Sequence, residues 1–457
     1  MEPGALNLES VPRDVLELCA RLGSRGKRAW IVGGCVRDLI RGCPVNDWDV
    51  ATDALPKELL DIFPRAIPTG IEHGTVTVVR GGQHYEVTTL RGEGTYTDGR
   101  HPDWVEFVDD IAADLARRDF TVNAIAVDPN DGKIVDPFGG RDDLARGVLR
   151  AVGDARARFS EDGLRVLRAA RFVASLELAL DPATEAAIAP TLDTFRKVAA
   201  ERVRDEWLKT MKARTPSRAF DVMRRTGILE VTCPELLAGV GMEQNKWHAY
   251  DVWRHGMECM DACPPDAILR VAGLLHDVGK PQTRVWSDKT HDYTFYEHDR
   301  VGAEIAAPIA ARLRFSNDEQ ARIVALVRHH IIQYLPEWGD ATVRRWIRRV
   351  GPDRLDDLYA LGVADARAKG RDVSADLAGL AQLREHVARV LEEGTALSTR
   401  DLKVNGHDLI KELGVRPGPV IGQVLEALLE AVTNDPALNT RETLLERARA
   451  LVRERPL

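Results

Sequence analysis

Short apolar segments separated by glycines and polar turns fill the N-terminal part of the chain, a pattern typical of strands in a sheet. Ala29–Val32 suits a buried strand, and Cys35–Arg41 follows it with the spacing of a helix. Asn46–Val50 is a second strand candidate, in which Asp47 and Asp49 would share one face. Segments rich in Val and Thr predict further strands at residues 74–80, 83–90 and 104–108.

The later part of the chain has the apolar spacing of helices. Asp181–Arg225 is helical in pattern almost throughout, Ile268–Leu275 is an apolar helix, and helical spacing resumes at Asp376. The sequence therefore predicts an α+β protein, with a mixed sheet at the N-terminus and mostly helical structure beyond it. A chain of 457 residues is too long for one hydrophobic core, so we expect two to four domains.

The composition is that of a globular protein, with 44% hydrophobic and 29% charged residues. No apolar run approaches the roughly 18 residues that a membrane span requires, and the N-terminus lacks the apolar core of a signal peptide. The net charge of −8 argues against indiscriminate coating of nucleic acid, although a local groove can still be basic. The six cysteines form no zinc pattern, so we expect reduced thiols and a cytoplasmic protein without membrane contacts.

Two glycines and two aspartates form the first candidate site. Gly33 and Gly34 lie between the predicted strand and helix, where glycine allows close approach of a phosphate and the helix N-terminus attracts anions. Asp47 and Asp49 would supply the oxygen ligands that Mg²⁺ shares with substrate phosphates. The spacing of the whole set favours this site over the alternative, a simple turn followed by a solvated acidic strand.

This set of residues resembles the signature of the DNA polymerase β nucleotidyltransferase superfamily. The closest resemblance is to the branch that holds tRNA nucleotidyltransferases (CCA-adding enzymes) and bacterial poly(A) polymerases. It implies that Asp47 and Asp49 are catalytic and hold two magnesium ions, and that Gly34 and Arg37 meet the triphosphate. The superfamily often uses a third carboxylate on a neighbouring strand, for which Glu86 is the candidate, the alternative being a surface glutamate.

Two further stretches resemble the same family. Arg117–Ala124, with the sequence RRDFTVNA, matches its second motif, which implies that Arg118 binds the nucleotide. Arg91–Pro102 is polar and rich in glycine, as mobile loops are. It resembles the flexible loop of CCA-adding enzymes, which is shortened in members that add only the two cytidines. The loop is not shortened in this sequence.

Phe159–Arg165 resembles the base-reading motif of the family. Ser160 is the predicted cap of a helix on which an acid and three arginines recur every third residue, so that neighbours in the series share a face. A plain amphipathic helix with basic spots is the alternative. The nucleotide-binding residues that the resemblance implies are Asp162, Arg165, Arg168 and Arg171.

The chemistry of this motif explains how bases could be chosen. An ionised Asp162 can accept a hydrogen bond from the exocyclic amine of cytosine or adenine, while Arg165 donates to the adjacent ring nitrogen. Uracil and guanine reverse both groups, and each mispaired buried group costs about 1–3 kcal/mol. The pair could thus select CTP and ATP without a nucleic-acid template. Arg168 and Arg171 would then hold the nucleotide or its phosphates.

A second candidate site surrounds His276 and Asp277, which follow the apolar helix. Neutral imidazoles and carboxylates are ligands of divalent transition metals. The arrangement resembles an HD phosphohydrolase domain, a class that hydrolyses phosphoesters with metal-activated water, although some members keep the ligands and have no known substrate. The metal ligands implied by this resemblance are His255, His276, Asp277 and Asp365. His298 and His329 would be accessory ligands or phosphate contacts.

The family resemblance covers nearly the whole chain and implies four domains. These are a nucleotidyltransferase head at 1–146, a helical neck with the base-reading motif and an RNA-binding region at 147–240, an HD domain at 241–370 and a C-terminal helical region at 371–457. The implied function is template-independent addition of CCA to the 3′ end of tRNA from CTP and ATP, with release of pyrophosphate, in tRNA maturation and repair.

Several alternatives stay open on the sequence alone. The chain could be an A-adding or a CC-adding enzyme or a poly(A) polymerase; the full-length loop weighs against CC-only addition. It could also be an HD phosphohydrolase whose N-terminal half only binds RNA, or a non-catalytic RNA-binding protein. The pair Asp47 and Asp49 weighs against both, because a binding module needs no metal ligands. The sequence also leaves the oligomeric state open.

Overall fold

The computed structural model describes residues 6–71, 74–92, 106–394 and 396–454. The chain folds into two compact units, Met1–Leu237 and Ala238–Leu457. The first unit contains a large mixed sheet, and the second is mostly helical, which confirms the predicted α+β class. The predicted division into four domains, with boundaries at 146, 240 and 370, stays a prediction.

The sheet of the first unit has seven strands in the order β3-β4-β5-β2-β1-β6-β7. Strands β2 and β5 run parallel, and the other neighbouring strands run antiparallel. The strands are β1 (Ala29–Val32), β2 (Asp49–Thr52), β3 (Ala66–Gly70), β4 (Thr75–Arg80), β5 (Gln83–Thr89), β6 (Ala126–Val127) and β7 (Ile134–Val135). A separate pair joins β8 (Val148–Leu149) to β9 (Ala179–Leu180).

Apolar residues cover both faces of this sheet. All four residues of β1 are buried, and they alternate between two hydrophobic clusters: Ile31 belongs to one, Trp30 and Val32 to the other. A strand that is apolar on both faces belongs in the middle of a sheet, which explains the uninterrupted apolar run in the sequence. The acidic residues of the two neighbouring strands, Asp49 at the start of β2 and Glu86 within β5, are therefore held by a rigid core.

Short helices surround the sheet and continue into a helical region. They are α1 (Arg13–Gly23), α2 (Gly34–Ile40), α3 (Pro56–Ile62), α4 (Ile111–Ala116), α5 (Gly140–Arg146), α6 (Ala155–Glu161), α7 (Leu164–Ser175), α8 (Pro182–Ala186), α9 (Leu192–Phe195), α10 (Ala200–Thr210), α11 (Ser217–Arg225) and α12 (Ile228–Thr232). Helix α7 packs against both α10 and α11. This packing brings α10 towards the residues that precede α7.

Two sequence predictions need correction in this unit. The predicted strand 46–50 begins only at Asp49, because its ladder starts where Asp49 pairs with Glu86, so Asp47 lies ahead of the strand. The predicted continuous helix from Ser160 is broken: α6 ends at Glu161 and α7 begins at Leu164. Gly163 fills the break because a Cβ there would lie 2.6 Å from the backbone nitrogen of Phe195. Ser160 caps no helix N-terminus; its hydroxyl donates to the carbonyl of Arg156.

Two other predictions fall partly outside the described residues. Most of the flexible loop predicted at 91–102 lies outside them, as does the first part of the strand predicted at 104–108. Within the described part, Phe107 forms an isolated antiparallel bridge with Arg91.

The second unit is built from longer helices around two further hydrophobic clusters. Its helices are α13 (Val252–Ala262), α14 (Ala267–Leu275), α15 (Lys280–Thr283), α16 (His298–Arg312), α17 (Asn317–His329), α18 (Asp340–Val350), α19 (Leu355–Ala368), α20 (Ser374–Glu392), α21 (Gly406–Leu413), α22 (Pro419–Asn434) and α23 (Arg441–Glu454). A hairpin joins β10 (Val285–Ser287) to β11 (Asp292–Thr294). Among the described residues, no helix is long and apolar enough to cross a membrane.

Candidate functional sites

A polar cavity of about 570 Å³ opens in the first unit, bounded by the sheet, α2, α7 and α10. Its volume is within the range of sites for small ligands. Six of the seven residues predicted to bind the nucleotide line this cavity: Gly34, Arg37, Arg118, Asp162, Arg165 and Arg168. The predicted catalytic Asp49 and the candidate third carboxylate Glu86 line it as well. The structure thus brings together motifs that are more than a hundred residues apart in the chain.

Two carboxylates, of Asp49 and Glu86, line one end of the cavity, and Asp47, which is not among the lining residues, lies near enough to act on the charge of Asp49. Asp49 is the first residue of β2 and lies beside Glu86 of β5 in parallel register, so both side chains leave the same face of the sheet. Burial raises the pKa of Asp49, and the negative charges of Glu86 and Asp47 raise it further, against the opposing effect of Arg118. Such mutual repulsion is relieved by a cation, and carboxylate oxygens are the donors that Mg²⁺ prefers. The residues therefore fit a divalent metal.

Gly33 allows a guanidinium to approach this acidic end. Its φ is +82°, and a Cβ there would lie 2.6 Å from Nη1 of Arg118, so a larger residue would be strained and would displace this guanidinium. The N–H of Gly33 donates to the carbonyl of Ile125 and is not available to a phosphate. Of the two glycines, Gly34 lines the cavity, which matches the residue that the resemblance singled out.

Two arginines of the cavity are held in place by a buried polar network. Arg37 donates twice to Asp38 and once, at 2.6 Å, to the amide oxygen of Asn123. The amide nitrogen of Asn123 donates to Asp119, which also accepts two hydrogen bonds from Arg168 at 2.7 and 2.8 Å. Burial would raise the pKa of Asp119, but Arg168 and Asn123 hold it at about 2. Both guanidinium groups are thus oriented before any ligand binds.

The predicted base-reading pair lies at another part of the cavity wall. Asp162 accepts the backbone N–H of Leu164 and two hydrogen bonds from Arg202, at 2.8 and 3.3 Å. Arg165 donates to Glu161 at 2.6 Å and to the backbone carbonyls of Arg158 and Arg117. Asp162 therefore lies in the break between α6 and α7, whereas Arg165 lies in the first turn of α7.

Arg202 is a cavity residue that the sequence prediction missed. It lies on α10 and lines the cavity beside Asp162. Arg202 belongs to the predicted helical neck at 147–240, which was the available signal, but its contact with Asp162 depends on how α10 packs. Asp119 and Asn123 also line the cavity; they belong to the matched motif 117–124 but were not named as site residues.

Arg171 does not line the cavity, contrary to the prediction. Its Nε donates to Glu206 at 2.5 Å, and its guanidinium lies 3.9 Å from the ring centroid of Phe172. The every-third-residue spacing turns the stripe around α7, so that its last member faces α10 rather than the nucleotide. Arg171 thus connects two helices of the unit.

The second candidate site is a buried cluster of histidines and aspartates in the second unit. His255 on α13 and His276 after α14 bring their Nε2 atoms within 3.1 Å of each other. Asp277 lies 3.1 Å from His276 Nε2, and Asp365 lies 3.0 Å from His255 Nε2. The structure therefore unites all four of the predicted metal ligands.

The orientation of the imidazoles is compatible with metal binding. His255 and His276 place Nδ1 within hydrogen-bonding distance of the carbonyls of Ala368 and Gly273, at 3.2 and 2.7 Å. In a neutral imidazole, an Nδ1–H that donates to a carbonyl leaves Nε2 unprotonated and directed at the carboxylates, which is the arrangement of metal-bound histidines. Burial lowers the pKa of His276, but Asp277 and Asp365 raise it to about 10. The cluster thus strongly favours a cation.

Two more histidines approach Asp277 from its other side. His298 and His330 place their Nε2 atoms 3.2 Å apart, and these atoms lie 3.3 and 3.7 Å from Asp277 Oδ1. Each of these rings also has Nδ1 beside a carbonyl, of Phe295 and Val327 respectively. Within the described residues the side chains therefore form two groups with metal-ligand spacing, and Asp277 belongs to both.

His330 takes the position that the prediction gave to His329. Both residues end α17, but neighbouring residues on a helix point about 100° apart, and only His330 faces Asp277. His329 is half-buried, and burial together with the nearby Arg328 lowers its pKa. The predicted accessory role of His298 stays a prediction, since its position beside Asp277 fits a metal ligand but does not test it.

Three stretches of the chain match described protein families. Residues 29–150 match the poly A polymerase head domain, and residues 177–239 match the probable RNA and SrmB-binding site of polymerase A. Residues 306–448 match a putative tRNA nucleotidyltransferase domain 2. None of these descriptions names an HD domain, so that assignment stays a prediction based on the geometry of the cluster.

Similar proteins cover nearly the whole chain. It is 37% identical over 417 residues to the A-adding tRNA nucleotidyltransferase of Deinococcus radiodurans, covering 88% of this chain and 91% of the relative. It is 34% identical over 424 residues to the CCA-adding enzyme of Lactiplantibacillus plantarum, covering 93% and 92%. The crystal structure of the Bacillus stearothermophilus CCA-adding enzyme in complex with CTP has 29% identity and a TM-score of 0.73, with 97% of this chain and 99% of that chain covered.

The mixed sheet that carries Asp49 and Glu86, together with these relatives, identifies the chain as a nucleotidyltransferase. More narrowly, the chain belongs to the tRNA nucleotidyltransferase family. The family implies a divalent metal at the nucleotidyltransferase site.

Proposed function

We propose that the protein adds CCA to the 3′ end of tRNA from CTP and ATP without a template. This proposal rests on one observation. The acidic residues of the sheet, Asp49 and Glu86, line the same cavity as the pair Asp162 and Arg165. The similarity to CCA-adding enzymes, one of them in complex with CTP, supports the same function. Because the similar protein of Deinococcus radiodurans is an A-adding tRNA nucleotidyltransferase, addition of A alone is the alternative function.

The proposed reaction joins the tRNA 3′-hydroxyl to the α-phosphorus of the nucleotide. The hydroxyl loses its proton to solvent, its oxygen forms the new bond to the α-phosphorus, the bond from that phosphorus to the bridging oxygen of the β-phosphate breaks, and pyrophosphate leaves with that electron pair. Asp47 and Asp49 would hold magnesium, with Glu86 beside them. Bound magnesium would lower the pKa of the attacking hydroxyl and neutralise the leaving group.

The remaining cavity residues position the nucleotide. Gly34, Arg37 and Arg118 lie next to the acidic edge, where the triphosphate must be, and the polar network keeps Arg37 from moving. Arg165 uses three of its five N–H donors on Glu161 and two backbone carbonyls, which leaves donors for a ring nitrogen. Asp162 would accept from the exocyclic amine next to it.

The metal ligands provide the test of this function. We expect Asp49→Asn and Asp47→Asn to abolish nucleotide addition while tRNA binding survives, because these carboxylates serve chemistry rather than folding. Asp61→Asn, on the exposed face of α3, is the matched control. Gel-based addition assays and filter binding of the same tRNA measure the two properties. Substantial turnover of either variant with magnesium would contradict the assignment.

We propose a second activity for the histidine–aspartate cluster, the hydrolysis of a phosphoester. Its four inward-facing Nε2 atoms and two carboxylates suit a divalent transition metal, with His255, His276, Asp277 and Asp365 as one ligand set. Asp277 would share its other oxygen with a second position between His298 and His330. Bound metal would activate the water that attacks phosphorus.

Metal content tests the second activity independently of turnover. We expect elemental analysis of the purified chain to find transition metal, and His276→Ala to remove it. Nucleotide addition should stay near normal in this variant, because the cluster and the nucleotide cavity belong to different units of the chain. A folded chain that takes up no transition metal would contradict the second activity, and a folded variant that has lost addition would contradict the independence of the two sites.

A further inference from the structure

Two threonines line the nucleotide cavity in addition to the acidic residues and the arginines: Thr88 on β5 and Thr75 on β4. They pair directly across these antiparallel strands, and their hydroxyl oxygens lie 3.1 Å apart, so that one hydroxyl donates to the other. Both side chains are half-buried. The pair therefore keeps one O–H donor and several lone pairs available to a ligand in the cavity.

The hydroxyl pair lies on the same face of the sheet as the acidic residues. Glu86 and Thr88 are two residues apart on β5, so their side chains leave the same face, and Asp49 pairs with Glu86 from the neighbouring strand. A group that contacts the pair therefore lies next to the proposed magnesium ligands. Because the hydroxyls carry no charge and their neighbours on this face are acidic, the pair suits a neutral polar group better than a phosphate.

The order of the strands separates the hydroxyl pair from the residues proposed to meet the triphosphate. Neighbouring strands follow in the order β4, β5, β2 and β1, with Thr75 on the first, Thr88 on the second and Asp49 on the third. Gly34 begins α2, which follows β1. Asp49 therefore lies between the triphosphate and the hydroxyl pair. Since the attacking and leaving oxygens lie roughly in line at phosphorus, the attacking nucleotide belongs on the side of the threonines.

We propose that Thr75 and Thr88 bind the 2′-hydroxyl of the terminal tRNA nucleotide, whose 3′-hydroxyl attacks the incoming nucleotide. The inference rests on the proposed function and assigns the site that holds the acceptor end. A 2′-hydroxyl both donates and accepts hydrogen bonds, which matches the hydroxyl pair, and it is the group that distinguishes RNA from DNA. The adjacent 3′-hydroxyl would then face the acidic residues. The pair thus makes the reaction selective for an acceptor that ends in ribose.

The experiment compares two acceptors that differ only in this hydroxyl, using the full-length protein with magnesium and ATP. Both are tRNAs that end in CC, one with a terminal cytidine and the other with a terminal 2′-deoxycytidine. The measured quantity is the ratio of kcat/KM for the ribose acceptor over the deoxyribose acceptor. The missing 2′-hydroxyl also alters the reactivity of the 3′-hydroxyl, but equally for every protein variant, so the change in this ratio between variants reports the contact.

We expect the ratio to fall about fivefold from the parent protein to Thr88→Val, the usual effect of one neutral hydrogen bond. The whole change should come from the ribose acceptor, because the deoxyribose acceptor has no contact to lose. Thr75→Val should lower the ratio as well, since the hydroxyl of Thr88 loses the partner that orients it. KM for ATP should stay unchanged in both variants, because the incoming nucleotide lies on the other side of the acidic residues.

Two further variants separate hydrogen bonding from damage to the strands. Valine keeps the β-branch that suits a strand, and Thr88→Ser keeps the hydroxyl, so Thr88→Ser should have the ratio of the parent. Thr77→Val is the matched control, because Thr77 lies on the same face of β4 as Thr75 but does not line the cavity. Its hydroxyl lies 2.8 Å from that of Thr69. Thr77→Val should therefore keep the ratio of the parent.

Two results would overturn the inference while nucleotide addition is intact. One is a parental ratio in Thr88→Val, and the other is an equal fall in Thr77→Val, which would assign the effect to the sheet. If the parent protein extends neither acceptor, the proposed function fails, and filter binding of the same two tRNAs decides. A preference in Kd for the ribose acceptor that is lost in Thr88→Val supports the hydroxyl pair as its site, and equal preferences in the parent and the variant overturn it.

Discussion

Asp162 accepts two hydrogen bonds from Arg202, a residue 40 positions later in the chain. The contact joins the segment between α6 and α7 to helix α10, and both residues line the nucleotide cavity. The acid proposed to recognise the base is therefore held in place by a basic partner. Its orientation towards the exocyclic amine depends on that partner as well as on the backbone break at Gly163.

Removal of Arg202 should weaken base selection. In Arg202→Ala the Asp162 carboxylate can turn away from the base, and a hydrogen bond to a charged group contributes about 1.5–3 kcal/mol. We expect the ratio of kcat/KM for CTP over UTP to fall about tenfold. Arg204→Ala, on the same helix but outside the cavity lining, is the control. An unchanged ratio would show that Asp162 is positioned without Arg202.

Loss of the base-reading residues themselves should change selection in different ways. Asp162→Ala removes the acceptor that repels the carbonyl of uracil, so UTP incorporation should rise relative to CTP. Arg165→Ala should weaken CTP and ATP alike, by roughly ten- to a hundredfold in kcat/KM. Single-nucleotide addition to a tRNA that ends at its discriminator base measures both. If Asp162→Ala keeps the CTP-over-UTP ratio of the parent, the base is recognised elsewhere.

Gly33→Ala should displace Arg118 from the acidic end of the cavity. The added Cβ would lie 2.6 Å from Arg118 Nη1, and the φ of +82° adds about 1–3 kcal/mol of backbone strain. We expect strongly reduced nucleotide addition. Gly26→Ala is the control, because Gly26 has a similar φ of +73° and a Cβ there would have nothing within 4 Å. This variant has the backbone strain without the steric clash, so we expect it to keep its nucleotide-addition activity. Equal losses in both variants would assign the effect to strain.

Asp119 should make the stability of the chain depend on acidity between about pH 4 and pH 2. Its pKa is held at about 2 in the fold, against 3.8 without those contacts. Because the pKa is lowered in the fold, the ionised carboxylate stabilises the fold fully above the ordinary pKa of 3.8, and this stabilisation is lost as the pH falls towards the folded-state pKa of about 2. The free energy of unfolding should decrease by about 2 kcal/mol over this range. Urea unfolding across this range should show the slope, and Asp119→Asn should remove it. A slope that persists in the variant would assign it to other carboxylates.

The sequence was sufficient for the elements whose structure is local. The apolar run 29–32 became the central strand β1, and the glycine pair beside it became the turn into α2, because both depend on neighbouring residues alone. Asp49 followed from the spacing of the glycines and aspartates, whereas Glu86 and Arg118 followed from the family resemblance, and all three line one cavity.

Tertiary packing decided the features that the sequence prediction missed. Helical period alone favoured one helix through Asp162, but the close approach of Phe195 to Gly163 requires a break. Two adjacent histidines end α17, and only packing selects His330 for the cluster. Packing also decides the ion pairs between α18 and α22, such as that of Arg345 with Glu430 at 2.7 Å, which the sequence alone does not show.

The most direct test of CCA addition uses three acceptors, tRNAs that end before CCA, after the first C and after CC, each with one of the four nucleotides. The account predicts that CTP alone extends the first two acceptors, that ATP alone extends the third, and that GTP and UTP extend none. Extension of only the CC-ending tRNA with ATP would make the chain an A-adding enzyme. Extension of the first two alone would make it a CC-adding enzyme, and repeated addition of A would make it a poly(A) polymerase; each result would contradict the proposed function.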